Sequence, residues 1–310
     1  MRMVNIVKNA INYFYNIAID DIHQNSKMFY FDYAGFRYAL LSYDKDPELV
    51  NNIYNLHLEI LKQGLYIHQI ILNKDGQIIT FINGLPYILM RLINYGEKIT
   101  FRDVLSFVGV SSGRGIDTNL KRVHWGGLWS DKIDYLEYEI TQLGQKHSAI
   151  RNSFSYFVGL GETSIQLFNM FFGSEGRKII AQESVGHDRI KVDDDTFELY
   201  NPLNLVVDYR VRDIAEYIKN KFFSGYDVWE DINYFLYSGG FTADEHLLFF
   251  IRLLYPTYYF DIYENIISGD LDENELQKII DKVDDFQNIL RNVYLYYRRF
   301  LQLPTIEWLE

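Results

Sequence analysis

The stretch LVVDYRVRDIAEYI, Leu205 to Ile218, changes character at its fourth residue. Leu205, Val206 and Val207 form an apolar run short enough for a buried strand. Asp208 closes that run, and from Val211 the apolar residues Ile214, Ala215 and Ile218 recur at helical spacing, which predicts a helix over 211–223. A carboxylate at the C-terminal end of a strand can offer its oxygens to a hard cation. The plainer reading pairs Asp208 with Arg210 or Arg212 as a strand cap.

Toward the N-terminus, residues 177–208 read as strand-rich, with strands expected at Arg177–Ala181, Asp188–Val192, Thr196–Tyr200 and Asn204–Asp208. Before them, Leu128, Ile133, Leu136, Ile140 and Leu143 make one helical stripe. Phe154–Phe172 make a second helix, apolar on nearly all sides and so expected to be buried. Residues 94–124 read as a connector with a helix near 100–108. Its Ser111–Gly115 segment, SSGRG, looks like a phosphate cradle, yet it follows no clear strand and carries no Lys-Ser/Thr, so it reads as a flexible loop.

The first 93 residues have a different pattern. A helix is expected over 4–20, then a hairpin over Met28–Tyr43 turning at Ala34-Gly35. A helix follows, capped by Asp46 with Pro47 in its first turn and stopped at Gly64. A second hairpin is expected between Ile67–Leu72 and Gln77–Ile82 about the Asn73–Gly76 turn, and a buried strand at Tyr87–Ile93. Beyond residue 218, segments 227–237, 242–267 and 273–300 are helical by spacing. The fold class is therefore α+β with two lobes: a small mixed lobe over 1–93, the connector 94–124, and a large helical lobe over 125–310.

Composition narrows the function. With 48% hydrophobic residues among 310, the chain can bury a proper core. Its net charge of −12, with no Lys/Arg run longer than two, opposes nucleic acid and anionic membranes as main partners. The absence of cysteine removes disulfides, thiolate metal sites and a thiol nucleophile. No apolar window reaches membrane-spanning length, and the first residues lack a signal-peptide core, so a soluble chain made in the cytoplasm is expected. The histidines lack close metal spacing and there is no G-x-S-x-G elbow, which leaves zinc and α/β-hydrolase chemistry without support. The 26 tyrosines predict many rings half-buried at element edges, a surface compatible with a homodimer or with adhesion to other proteins.

Five stretches carry a resemblance: WSDKIDYLE (129–137), FVGLGETSIQ (157–166), VDYRVRDIAEYI (207–218), RLLYPTYYFDIYE (252–264) and IEWL (306–309). Together they resemble the spore-coat-associated branch of the aminoglycoside/choline kinase-like superfamily (spore coat protein S / YutH-like). The resemblance implies a protein-kinase-like fold, ATP and Mg²⁺ as cofactors if the protein is active, and phosphoryl transfer to a hydroxyl group. It implies Asp208 as the metal ligand, a His-x-Asp motif about twenty positions earlier, and Asp213 as the residue tying the following helix to the catalytic loop.

Several of those parts are altered here. His187 lies 21 positions before Asp208, but the motif reads His187-Asp188-Arg189, so a guanidinium stands where the catalytic carboxylate belongs. An always-protonated group takes no proton from a hydroxyl. Asp188 serves as base only if the loop slips by one residue. The Asn expected downstream is replaced by Asp194 within Asp193-Asp194-Asp195. The strand Phe36–Tyr43 offers Arg37 in place of the phosphate-binding Lys, with Glu59 as its prospective partner, and Gly35 alone stands for a glycine-rich loop. Arg210 and Arg212 suit an anion or internal salt bridges. These losses predict a pseudokinase of the spore coat, with a structural or interaction role, other coat proteins as partners and no certain cofactor. The alternative is an active ATP/Mg²⁺-dependent small-molecule phosphotransferase. By the resemblance, the protein is made in the cytoplasm of a sporulating bacterium and resides in the spore coat.

Overall fold

The computed structural model describes residues 2–25, 28–143, 146–173 and 177–310. The chain divides into two units, one of residues 1–99, 113–121 and 193–207, the other of residues 100–112, 122–192 and 208–310.

The first unit is a sheet with helices on its faces. Strands β1 (His23–Asn25), β2 (Met28–Tyr33), β3 (Phe36–Ser42), β4 (Gln69–Ile71), β5 (Thr80–Ile82) and β6 (Leu85–Arg91) follow the order β1-β2-β3-β6-β4, with β5 also on β6. Pairing is antiparallel throughout. Alternation along the strands separates two cores. Leu40 and Leu89 pack with Val7, Ile11 and Tyr15 of α1 (Arg2–Tyr15). Their neighbours Ala39, Ile88 and Met90 pack with Val50 and Ile53 of α2 (Leu49–Lys62). The β2–β3 hairpin turns at Ala34-Gly35, both with positive φ, as the sequence predicts.

The second expected hairpin is a correction. β4 and β5 do not pair with each other; β5 pairs with β6 about Asn83-Gly84, and β4 pairs with β6 as well. The Asn73 carboxamide organises its own loop by accepting from the backbone of Asp75 and Gln77, so the turn forms without a ladder around it. The Asn83-Gly84 pair, both at positive φ, is the true hairpin turn. Helix α2 starts at Leu49, later than expected, because Asp46 and Pro47 form a preceding turn in which Asp46 accepts from Glu48 and Leu49.

The second unit is mainly helical: α3 (Phe101–Ser111), α4 (Trp125–Gln142), α5 (Ser148–Phe172), α7 (Val211–Phe223), α8 (Trp229–Tyr237), α9 (Ala243–Leu254), α10 (Thr257–Ile267), α11 (Glu273–Ile280) and α12 (Val283–Tyr297). The helix buried on all sides is α9, whose residues Leu247–Leu254 are all buried, whereas α5 exposes Met170. The expected long helix 242–267 breaks at Pro256, and 273–300 breaks at Asp281-Lys282, where Lys282 turns to donate to the Phe223 carbonyl. No described helix is long and apolar enough to cross a membrane.

The 177–208 segment departs most from expectation. Its strands are β7 (Glu183–His187) and β8 (Leu205–Tyr209), which form a two-stranded sheet. Residues 177–182 make no strand because Ile180 and Gln182 donate their backbone N–H groups to Asp244 and Glu245 at the start of α9. Residues 188–192 make none either, and Val192 donates to the Asn220 side chain. Thr196–Leu199 is a short helix, α6, capped by the Asp195 carboxylate accepting from Phe197.

Candidate functional site

β8 carries Asp208 into the protein on the apolar run before it, and only 2% of the residue is exposed. Its Oδ1 accepts from the Trp125 indole N–H at 2.9 Å and from the Tyr209 backbone N–H at 2.7 Å. Arg212, one turn along, places Nε 3.1 Å from Oδ2. That contact is an ion pair by distance, and no donor is aligned on Oδ2 for a hydrogen bond. Burial pushes the Asp208 carboxyl up to about 6, against the opposing pull of Arg212 and Arg252.

Arg212 is the centre of the arrangement. From the start of α7 its guanidinium donates through Nη1 to the His187 carbonyl and through Nη2 to the Asp188 carbonyl at 3.0 Å. It also contacts Asp213 Oδ1 at 3.2 Å. One buried cation thus gathers two loop carbonyls and two carboxylates. Asp213 in turn accepts from the His187 backbone N–H, at 3.1 and 3.0 Å, and lies 2.6 Å from the His187 Nδ1. Gly186 makes that approach possible: a Cβ there would sit 2.9 Å from Asp213 Oδ1.

The two residues after His187 are both engaged. Asp188 pairs with Arg122, and Arg189 Nη1 lies 3.4 Å away. Burial raises the Asp188 carboxyl, but Arg122, Arg189 and Arg212 together hold it below the usual carboxylate range. Arg189 forks onto Asp261, with Nε and Nη2 each 2.5 Å from a carboxylate oxygen. Arg210 makes a similar fork to the buried Glu245, at 2.6 and 2.7 Å.

In the first unit, Arg37 forks onto Asp32 at 2.8 and 2.9 Å, with its guanidinium 4.9 Å from the Tyr95 ring. Glu59 accepts from Lys62 and Gln63, so Arg37 and Glu59 are not joined. In the acidic triplet, Asp193 faces Lys98 at 3.5 Å and Asp195 caps α6. Among the described residues, no group of three or more His, Asp or Glu is arranged to hold a metal ion. In the SSGRG segment, Ser111 ends α3 and its hydroxyl accepts from the Val185 backbone N–H at 3.1 Å.

The structure therefore brings His187, Asp188, Asp208, Arg212 and Asp213 together and holds Arg210 on Glu245. Sequence reasoning missed Trp125, Arg122, Asp261 and Gly186. Trp125 carries no signal, since it meets Asp208 across 83 positions of sequence. Gly186 had one, a glycine immediately before the motif histidine.

A small antiparallel sheet unit and a mainly helical unit with these residues at the β7 and β8 ends define a kinase-like protein. The solved aminoglycoside phosphotransferase of Alicyclobacillus acidocaldarius has the same fold, with a TM-score of 0.60 at 14% identity over 92% of this chain and 95% of that one. Choline kinase LicA of Streptococcus pneumoniae gives a TM-score of 0.53 at 12% identity over 92% and 99%. The spectinomycin phosphotransferase APH(9)-Ia, solved with ADP and spectinomycin, gives 0.58 at 12% over 94% and 97%. The chain belongs to the family described as "Spore coat putative kinase YutH", which matches residues 8–301. It is 23% identical over 273 residues to the endospore coat-associated protein YutH of Bacillus subtilis (strain 168), covering 79% of this chain and 80% of that protein.

Proposed function

We propose that this chain uses the kinase fold as a spore-coat scaffold and transfers no phosphate. The observation that carries the reading is the Arg212 guanidinium held between the His187 and Asp188 carbonyls and the Asp208 and Asp213 carboxylates. Phosphoryl transfer needs a metal ion there to neutralise the nucleotide's charge. Mg²⁺ binds oxygen at about 2.0–2.1 Å and demands near-octahedral geometry. With Arg212 Nε at 3.1 Å from Oδ2, the carboxylate already faces a cation, whose charge opposes Mg²⁺ beside it. Removing one partner from a buried ion pair costs about 3–5 kcal/mol, so the arginine is not readily displaced.

Further features support the reading. Arg189 stands where a hydroxyl's proton would have to go, and its fork onto Asp261 fixes it there. Asp188 is a poor base, since Arg122 and its neighbours hold it below the carboxylate range. In the sheet unit, Arg37 is committed to Asp32 instead of standing ready for phosphate. The endospore coat association of the Bacillus subtilis relative supports other coat proteins as the partners.

One observation favours the active alternative. Asp208 lines a cavity with an oxygen that has no aligned donor, and such an oxygen suits a metal. In that case Asp208 would hold Mg²⁺ and Asp188 would take the hydroxyl proton. Calorimetry with ATP and Mg²⁺, on the wild type and on Asp208→Asn, separates the two. The scaffold reading expects no saturable heat at about millimolar ATP, the concentration at which a −4 kcal/mol interaction half-saturates. Saturation that disappears in Asp208→Asn would establish a live nucleotide site and refute the scaffold reading.

A further inference from the structure

Part of the exposed aromatic surface of the helical unit is gathered in one row. Tyr237, 72% exposed at the end of α8, lies 5.7 Å from Tyr296 of α12 between ring centroids, and Tyr296 lies 5.1 Å from Phe300, 54% exposed. Tyr234, one turn before Tyr237, is also exposed, and the Arg102 guanidinium sits 5.7 Å from its ring. The row is held in place, since the Tyr296 hydroxyl donates to the Leu236 carbonyl at 3.4 Å. Tyrosine, phenylalanine and arginine gathered in one exposed patch is the composition of a protein–protein contact.

Charge sets the patch apart from the rest of the chain. Arg102 and Arg299 are exposed, and neither forms an ion pair among the described residues. Of the carboxylates nearby, Asp103 accepts from Thr100 and Glu310 from Arg298, while Glu230, one turn before Tyr234, is left without a bond. The patch thus offers two uncommitted guanidinium groups against one uncommitted carboxylate, on a chain that carries −12 overall.

The opposite end of α12 has the complementary surface. Asp281, Asp284 and Asp285 are exposed, and none is ion-paired among the described residues. Lys282, between them, turns inward to the Phe223 carbonyl. From Asp285 to Tyr296 the helix rises about 16 Å, so the two surfaces cannot meet within one molecule.

We propose that a second copy of this chain docks the acidic start of its α12 on this aromatic and arginine patch, so that copies associate head to tail. Unpaired guanidinium groups select an acidic partner, and the chain itself carries one at the far end of the same helix. The two contacting surfaces differ, so the interface is heterologous and association continues past the dimer, to a ring or an open chain. The contact uses no residue of the Asp208 site and stands whether or not that site transfers phosphate.

Sedimentation equilibrium of the full chain from about 5 to 500 µM tests the proposal. The average mass rises past that of a dimer, and about 1 M NaCl reduces association by screening the charged contacts. Two double variants at exposed positions separate the surfaces. Tyr237→Ser with Arg299→Glu removes the patch, and Asp284→Lys with Asp285→Lys removes the acidic end. Each variant alone stays monomeric. An equimolar mixture gives a dimer and nothing larger, because the intact patch of one meets the intact acidic end of the other. Hydrogen exchange on the wild type, which needs no substitution, slows over 234–237 and 281–285 as concentration rises. Protection confined to other segments would overturn the proposal, as would a mass that stops at the dimer or a mixture that stays monomeric. A variant of unchanged Tm that associates like the wild type would overturn it too. A wild type still monomeric at about 500 µM would rule out the second copy and leave an acidic partner of different sequence as the occupant.

Discussion

Replacing Asp208 by Asn should make the protein's stability rise with pH relative to the wild type. The Asp208 carboxyl sits near 6 in the fold against an ordinary 3.8, because burial disfavours its charge more than Arg212 and Arg252 favour it. The folded state therefore holds a proton that the unfolded chain has released between those two values. Stability from this group is intact below about pH 4 and is lost as pH rises to about 6. Two pH units at 1.36 kcal/mol each give a loss of about 3 kcal/mol. Asn accepts from Trp125 and Tyr209 as Asp208 does, but its amide opposes Arg212 and offsets part of any gain. That offset does not vary with pH, so the slope is the quantity to read. Urea unfolding of both proteins from pH 4 to 7.5 should show the Asn variant gaining about 3 kcal/mol on the wild type across the range. A flat difference, or one that shrinks as pH rises, would refute the reasoning and make Asp208 an ordinary ion-pair partner of Arg212.

Three more predictions test separate parts of the structure. Burial pulls His57 and His68 down to about 4; their rings should stay neutral at pH 5.5 by NMR, and stability should fall by about 3 kcal/mol for each between pH 6.5 and 4. Ring titrations centred between 6 and 7 would contradict this. Gly186→Ala drives a methyl into Asp213 and should cost about 2–4 kcal/mol in unfolding experiments, by loosening the Asp213 bonds to His187; an unchanged midpoint would show that the two segments separate freely. Arg210→Met leaves Glu245, 0% exposed, without its fork and should cost about 3–5 kcal/mol, and a loss below about 1 kcal/mol would mean that Glu245 finds another partner.

The sequence showed the parts of the fold where local chemistry and tertiary pairing agree. The Ala34-Gly35 turn supports both the turn and the ladder beside it, and the helix over Val211–Phe223 follows from its own spacing. It misled where a turn forms without its strands: Asn73 closes its loop through side-chain bonds, while β4 and β5 both find β6. Thr196–Tyr200 alternates like a strand, but the Asp195 cap outweighs five residues of pattern. Around the site, the resemblance pointed to His187, Asp208 and Asp213, which the structure places side by side about Arg212. It gave no hint of Trp125 on Asp208 or Asp261 on Arg189, since those contacts join residues 83 and 72 positions apart. Arg212 was visible as a cation one turn from Asp208. That it bridges the two halves of the motif is a three-dimensional fact.

The central claim is that a guanidinium stands where a kinase would hold its metal ion, and crystals soaked with Mn²⁺ and a non-hydrolysable ATP analogue test it most directly. Manganese takes the oxygen ligands of Mg²⁺ and can be located by its anomalous scattering. The account predicts no anomalous peak within coordination distance of Asp208, with the Arg212 guanidinium still spanning the His187 and Asp188 carbonyls. A peak bonded to an Asp208 oxygen, with Arg212 swung away, would contradict it and return the protein to the working phosphotransferases.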